Sequence, residues 1–245
     1  MRRFYSWART EHCTPASFEQ PTCEAQLVRI VCEARSANKQ VEVIGARHSW
    51  SDIAMPCERD STDCMLVSLD AMQAVLEVDP ARGRVRVQAG IRLHRLNDAL
   101  AKRGLALSIV GSVVEQSLAG VLSTGTHGSS LVHGNIPSFV VGLRVITGTG
   151  EVLEIHEHDP LLAAARVGLG GLGIITQVSG HPGHVPKREG VREQAARARS
   201  RRRVSWPLAR ARVPAGASPR SRRAATVSYG MKMIWHEFGQ SSSFT

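Results

Sequence analysis

The chain has 245 residues, 42% hydrophobic and 21% charged, which is enough apolar content for a medium-sized core and excludes a fibrous or wholly disordered protein. Its net charge of +10 suggests nucleic acid only until it is located: residues 1–180 carry 17 Lys+Arg against 18 Asp+Glu, whereas residues 181–245 carry 14 against 3. The five cysteines (Cys13, Cys23, Cys32, Cys57, Cys64) include no C-x-x-C pair, which argues against a metal centre or a complete disulfide framework. No apolar signal-peptide core follows the basic start, and the stretch from Leu161 to Ile175 is broken by Arg166 and too short to span a bilayer, so an intracellular chain is expected.

In chain order, Pro21-Thr22 and Glu24 precede Leu27, Ile30, Val31 and Ala34 at helical spacing, predicting a helix over 22–37. Val41 and Val43 alternate with Glu42 before Ile44-Gly45, a strand that runs into a turn. Short strands follow at 65–69, 74–78 and 84–88, the last two joined through Pro80 and Gly83, and this region reads as one small β-rich unit. Leu93, Leu96 and Leu100 form a second helical stripe ended by Gly104. Strands at 140–147 and 151–155 flank Gly148-Thr149-Gly150 as a hairpin, and a helix over 161–167 and a strand over 174–178 complete the patterned part. The fold class is α+β.

Residues 181–245 contain 9 Leu, Ile, Val or Phe, and 12 arginines fall between Arg188 and Arg223 without any period. That composition predicts a disordered basic tail after a folded domain over residues 1–180, with no cap or substrate domain. The tail lacks aromatic interleaving, so a nucleic-acid or anionic-membrane module is a weaker reading than a solvated charge run.

Three glycine-containing stretches could carry chemistry. Gly168-Leu169-Gly170-Gly171-Leu172-Gly173 matches G-x-G-x-x-G, but it follows a helix and precedes a strand, the reverse of a Rossmann site, and reads better as a closely packed turn. The turn Gly45-Ala46-Arg47-His48-Ser49 offers backbone N–H groups able to cradle a pyrophosphate, although a lone turn histidine is more often a solvated loop residue. The run from Ser112 to Ser130 is not a P-loop, since no Lys-Ser/Thr follows its glycines; Gly120, Gly125 and Gly128 permit close backbone approach, and Ser112, Ser117, Thr124 and Thr126 supply neutral hydroxyls. By itself this run is as well explained by an ordinary Gly/Ser/Thr loop.

In order and spacing, Gly-x-x-His-Ser at 45–49, Ala-Gly-x-x-x-Thr-Gly-Thr-His at 119–127 and Gly-x-Leu-Gly-Ile-Ile at 170–175 resemble the two-subdomain FAD-binding domain of the vanillyl-alcohol oxidase (PCMH) type. The likeness is greatest to the sugar-1,4-lactone oxidases, such as L-gulonolactone oxidase and D-arabinono-1,4-lactone oxidase, and runs from about Trp7 to Val178. It implies that Ile44, Gly45, Ala46, Arg47, His48 and Ser49 meet the FAD pyrophosphate, with His48 covalently bound to the flavin. It implies further that Ser112, Ser117, Gly120, Thr124, Gly125, Thr126 and His127 line the cofactor and that Ile174 meets the adenine end through its backbone. Arg47 stands where many such proteins have a small residue.

The activity implied is oxidation of a carbinol of an aldono-1,4-lactone, with hydride passing to flavin and O₂ as acceptor. The small-molecule lactone is the expected partner if the chain is active, with no nucleic acid and no metal. In the resembled oxidases a late His-Trp-x-Lys-like segment helps to deprotonate the substrate. Here Trp235-His236-Glu237 is the nearest string, reversed and without the Lys, so the catalytic residues are not assignable and an idle flavin-binding fragment is the alternative.

Overall fold

The computed structural model describes residues 3–55, 63–130 and 132–184. Cys57, Trp235-His236-Glu237 and the Arg-rich tail beyond His184 lie outside them. The elements in order are β1 (Phe4–Tyr5), β2 (His12–Cys13), β3 (Ser17–Glu19), α1 (Glu24–Ser36), β4 (Gln40–Ile44), β5 (Cys64–Ser68), β6 (Val75–Asp79), β7 (Arg84–Gln88), α2 (Leu93–Ala101), β8 (Leu105–Ala106), α3 (Leu118–Ser123), β9 (Val140–Ile146), β10 (Val152–Ile155), α4 (Leu161–Arg166), β11 (Ile174–Gly180) and β12 (Gly183–His184).

Helix α1 forms where the apolar spacing predicts it, burying Leu27, Val31 and Ala34 on one face. Its first turn is braced by Gln26, whose Oε1 accepts from the Thr22 backbone N–H at 2.8 Å and from the Thr22 hydroxyl at 3.1 Å. Its end is a Schellman motif: Lys39 N–H donates to Ala34 O and Asn38 N–H to Arg35 O, with Asn38 at φ 51. Helix α2 buries Leu93, Leu96 and Leu100, and Gly104 follows at φ 71 as the glycine position predicts.

The strands fall into two main sheets. One is parallel, ordered β3-β5-β4, with every residue of the central β5 buried; the other is antiparallel, ordered β10-β9-β11-β7-β6. The expectation of one β-rich unit across 41–88 is therefore corrected: β4 and β5 belong to the parallel sheet, whereas β6 and β7 form a hairpin in the antiparallel one. Residue alternation identifies a strand but not its partner, and the parallel pairing of β4 with β5 depends on contacts distant in sequence. Helix α3 is a second correction, since 118–123 reads as a glycine-rich loop, yet Leu118, Val121 and Leu122 are buried in the core.

The largest apolar cluster lies between the antiparallel sheet and helices α2, α3 and α4. A second joins Leu27, Val31, Val41, Met65 and Val67 from around the parallel sheet to Ile146 of β9 and Ile174 of β11. A polar joint reinforces this contact. Arg144 Nε on β9 donates to both Glu24 carboxylate oxygens, at 2.9 and 2.8 Å, and its Nη1 meets Glu154. Thr176 of β11, fully buried, donates its hydroxyl to Glu24 Oε1 at 2.6 Å. Cys64 is disulfide-bonded, while Cys13, Cys23 and Cys32 are free.

Glu24→Ala is expected to cost about 1–2 kcal/mol, because it leaves the buried Thr176 hydroxyl with only its longer bond to the Arg144 carbonyl, at 3.2 Å, and the Arg144 guanidinium with only the exposed Glu154. Urea unfolding would show a lower midpoint at unchanged slope; an unchanged midpoint would mean that apolar packing alone joins the sheets.

Candidate functional site

The C-terminal end of β4 opens onto a cavity of about 1060 Å³. Its wall is assembled from β4 and the turn that follows it to 51, Leu69 and Asp70 after β5, Ala89 and Gly90 after β7, both ends of α3, the β9–β10 loop, and the glycine turn leading into β11. A second cavity of about 740 Å³ shares residues 44–48 and Asp70 with the first and adds Trp7, Arg92, His94, Ser112, Val113 and Glu115. Residues 44–48 thus form a partition lining both spaces.

Local backbone requirements explain why the wall has this shape. A Cβ on Gly45 would lie 2.1 Å from Ser117 Oγ, so only glycine lets the β4 turn close on Ser117 without displacing it. Ser117 is held in turn by its bridge to Arg92 and by the adjacent bonds from Leu118 N–H to Ile91 O and from Ala119 N–H to Ala89 O. Gly173, at φ 124, would place a Cβ 2.2 Å from Ile146 O, which is the close packing expected of the glycine-rich turn. Gly170, at φ 86, has nothing within 4 Å of such a Cβ. Arg47 adopts φ 62, the left-handed region that costs a residue with a side chain roughly 1–2 kcal/mol.

Of the sequence-derived candidates, the structure brings Ile44, Gly45, Ala46, Arg47, His48, Ser49, Ser117, Gly120, Thr124 and Ile174 to the wall of the larger cavity and Ser112 to that of the smaller. Gly125, Thr126 and His127 line neither. Gly125 and Thr126 close the end of α3, where Gly125 N–H donates to Leu122 O and Thr126 N–H to Val121 O in a Schellman motif with Gly125 at φ 69, while His127 Nδ1 lies 2.9 Å from the Gly128 carbonyl. The Thr124 hydroxyl is engaged with Gly120 O at 2.9 Å. The wall also contains residues that motif reading passed over: Trp50, Asp70, Gly90, Gln116, Ser123, Thr147 and Thr149. The hairpin glycines at 148 and 150 mark the position of Thr147 and Thr149, but nothing local announces that this loop faces the 45–49 turn.

The charge of the larger cavity's wall is nearly balanced. Its ionisable groups are Glu42, Arg47, His48 and Asp70. Asp70 is paired with Arg92 across the smaller cavity. Burial pushes the Glu42 carboxyl up to about 7, against an opposing hydrogen bond from Gln40. Burial also lowers the pKa of His48, with Glu115 raising it and Arg92 lowering it further. The remaining polar lining is mostly neutral hydroxyl and backbone, interleaved with Ala89, Leu172 and Ile175. Such a wall can accept an elongated anionic ligand with a planar apolar portion. Among the described residues there is no cluster of His, Cys, Asp and Glu able to hold a metal, and no helix long and apolar enough to cross a membrane.

Comparison with known proteins supplies the family. The model of the FAD binding domain matches residues 15–156. The chain is 38% identical to the L-gulono-1,4-lactone dehydrogenase of Mycobacterium tuberculosis over 174 residues, covering 71% of this chain and 39% of that protein. It is 39% identical to the D-arabinono-1,4-lactone oxidase of Yarrowia lipolytica over 183 residues, covering 71% and 34%. Among solved structures, an alkyldihydroxyacetonephosphate synthase superposes with a TM-score of 0.64 at 26% identity, covering 69% of this chain and 32% of that one. The chain therefore spans a little over a third of the length of the lactone-oxidising relatives it matches.

The perturbed Glu42 carboxyl gives the site a pH signature. Its pKa is raised from 4.5 to about 7, so the neutral group's contribution to stability is complete below pH 4.5 and is lost as pH rises through 7. Glu42→Gln, which mimics the neutral form, should be about 2–3 kcal/mol more stable than wild type at pH 8 and nearly equal to it at pH 4.5. Urea titrations at the two pH values check this; an equal difference at both would show that Glu42 ionises normally.

Proposed function

Because the chain belongs to the FAD-binding domain family, whose cofactor is FAD, we propose that residues 3–184 form the flavin-binding half of an oxidoreductase acting on a carbinol of an aldono-1,4-lactone. The observation that carries this is the pair of adjoining cavities divided by the 44–48 turn, the larger rich in hydroxyls and close to charge balance, the smaller lined by Asp70 and Glu115 against Arg47 and Arg92.

In this reading, Gly45 to Ser49 approach the pyrophosphate from one side while Ser117, Gly120 and Thr124 do so from the start and end of α3. Ile174, whose side chain belongs to the core, meets the adenine end through its backbone. Ser112 approaches the ring end from the smaller cavity. Gly125 and Thr126 act by terminating α3, which places Gly120 and Thr124, and His127 follows them in the same run. His48 supplies the imidazole nitrogen that attaches the flavin. When bound, FAD supplies the two-electron acceptor for the carbinol hydride, with dioxygen as the final acceptor. The wall that would hold the lactone carbinol against the flavin and take its hydroxyl proton is assigned to residues outside 1–180.

Purified protein is expected to show visible flavin absorption and to retain flavin in an acid-precipitated pellet, while His48→Ala releases it. A pellet free of flavin in the wild type, or retention in His48→Ala, would overturn the attachment.

Substrate class is tested by anaerobic mixing of the flavin-loaded chain with L-gulono-1,4-lactone or D-arabinono-1,4-lactone. Slow, lactone-specific bleaching is expected, because orientation by a complete site accounts for about 7–11 kcal/mol of such a barrier. Bleaching within seconds would show that the substrate wall lies inside this unit, and bleaching as fast by an unrelated alcohol as by either lactone would remove the lactone assignment.

A further inference from the structure

Trp7 lies in the turn between β1 and β2 and is 66% exposed, yet it is held at two points. Its backbone N–H donates to the Arg47 carbonyl at 2.7 Å. Its indole is stacked on the His48 imidazole, with ring centroids 5.3 Å apart and planes inclined by 30°. The two attachments act on consecutive residues of one turn, and the first anchors the very residue that takes the left-handed backbone conformation. Trp7 and His48 both line the smaller cavity.

We propose that Trp7 is a positioning residue for His48, holding its imidazole against the partition between the two cavities so that a ring nitrogen is presented to the flavin. This rests on the reading of His48 as the attachment residue. A histidine in a solvent-facing turn rotates about two side-chain bonds. Stacking removes that freedom before the cofactor arrives, and a misplacement of about 1 Å at a reacting atom can cost roughly a hundredfold in rate.

The step being positioned is balanced. His48 forms one N–C bond to the flavin 8α-carbon as one C–H bond of that methyl group breaks. The methyl and imidazole N–H hydrogens leave as protons and the electron pair of the broken C–H bond passes to the isoalloxazine, from which dioxygen takes the two electrons and two protons as hydrogen peroxide. Only a neutral imidazole has a lone pair to give. The shielding of His48 favours that form, as does the Arg92 guanidinium, which is pinned by Asp70 and by the Glu115 carbonyl at 3.2 Å; the Glu115 carboxylate opposes it. Arg47 and His94 are the other ionisable groups on the smaller cavity's wall.

The test is the time course of acid-precipitable flavin after apoprotein is mixed with excess FAD, compared among wild type, Trp7→Phe, Trp7→Leu and His48→Ala. Because Trp7 is largely exposed and its bond to Arg47 is made by backbone, these substitutions leave the core untouched. Trp7→Leu should bind FAD, read from its visible spectrum, but attach it roughly 10- to 100-fold more slowly. Trp7→Phe, which keeps an aromatic face, should stay within about threefold of wild type. In Trp7→Leu the attachment rate should also rise at higher pH than in wild type, since an unshielded imidazole ionises closer to its ordinary value.

Wild-type attachment rate in Trp7→Leu would overturn the proposal, as would a Trp7→Phe protein as slow as Trp7→Leu. Failure of Trp7→Leu to bind FAD would do the same, because a positioning role leaves binding intact. A wild-type pellet without flavin is a different failure: it removes the attachment reading itself.

Discussion

Glu24 sits at the first turn of α1 and receives Arg144 from β9 and Thr176 from β11, so a single carboxylate joins the helix beside the parallel sheet to two strands of the antiparallel one. Its position at a helix N-terminus is also the one where a negative charge is favoured by the exposed backbone N–H groups. Around it, Leu27, Val31, Ile146 and Ile174 form the apolar part of the same contact. The larger cavity is walled by residues from both sheets, so its dimensions depend on this joint. A partly buried carboxylate satisfied by a guanidinium and a hydroxyl is directional in a way that apolar packing is not, and it permits little sliding of one layer over the other.

Close backbone approach and left-handed backbone shape parts of the cavity wall and the end of the helix beside it. Gly45 closes against Ser117, Gly173 against the Ile146 carbonyl, and Gly125 ends α3 in the left-handed conformation. Arg47 accepts the same kind of conformation without being glycine. Its carbonyl is fixed by Trp7, one of the contacts that hold this strained turn in place. The consequence is a partition whose backbone is rigid and whose next side chain, His48, is held by a ring stack rather than by a hydrogen bond to a neighbouring carboxylate.

This distinction bears on the chemistry. A histidine bonded to a carboxylate would be biased toward the imidazolium, whereas at His48 burial outweighs the nearby Glu115 carboxylate and, with the Arg92 cation, disfavours added charge. The same low-polarity surroundings raise the Glu42 carboxyl on the strand leading into the turn. The larger cavity's wall thereby carries little net negative charge near neutral pH, although two of its four ionisable residues are acidic.

The sequence by itself determined the helices α1 and α2, both hairpins, the ends marked by Gly104 and Gly150, and the 45–49 turn, because each depends on periodicity or on a residue whose backbone freedom acts within a few positions. Its three ordered glycine motifs were also enough to identify the FAD-binding family. Only the tertiary structure decided that β4 and β5 pair in parallel apart from β6 and β7, that Leu118 to Ser123 is helix, and that Gly125 and Thr126 close its C-terminal end. It alone brought Thr147 and Thr149 opposite residue 45 and Trp7 onto His48. The β4–β5 pairing joins residues 24 positions apart, Trp7 meets His48 across 41, and Thr147 and Gly45 line one cavity from 102 positions apart; a strand or loop carries no local record of the partner that chain closure will bring to it.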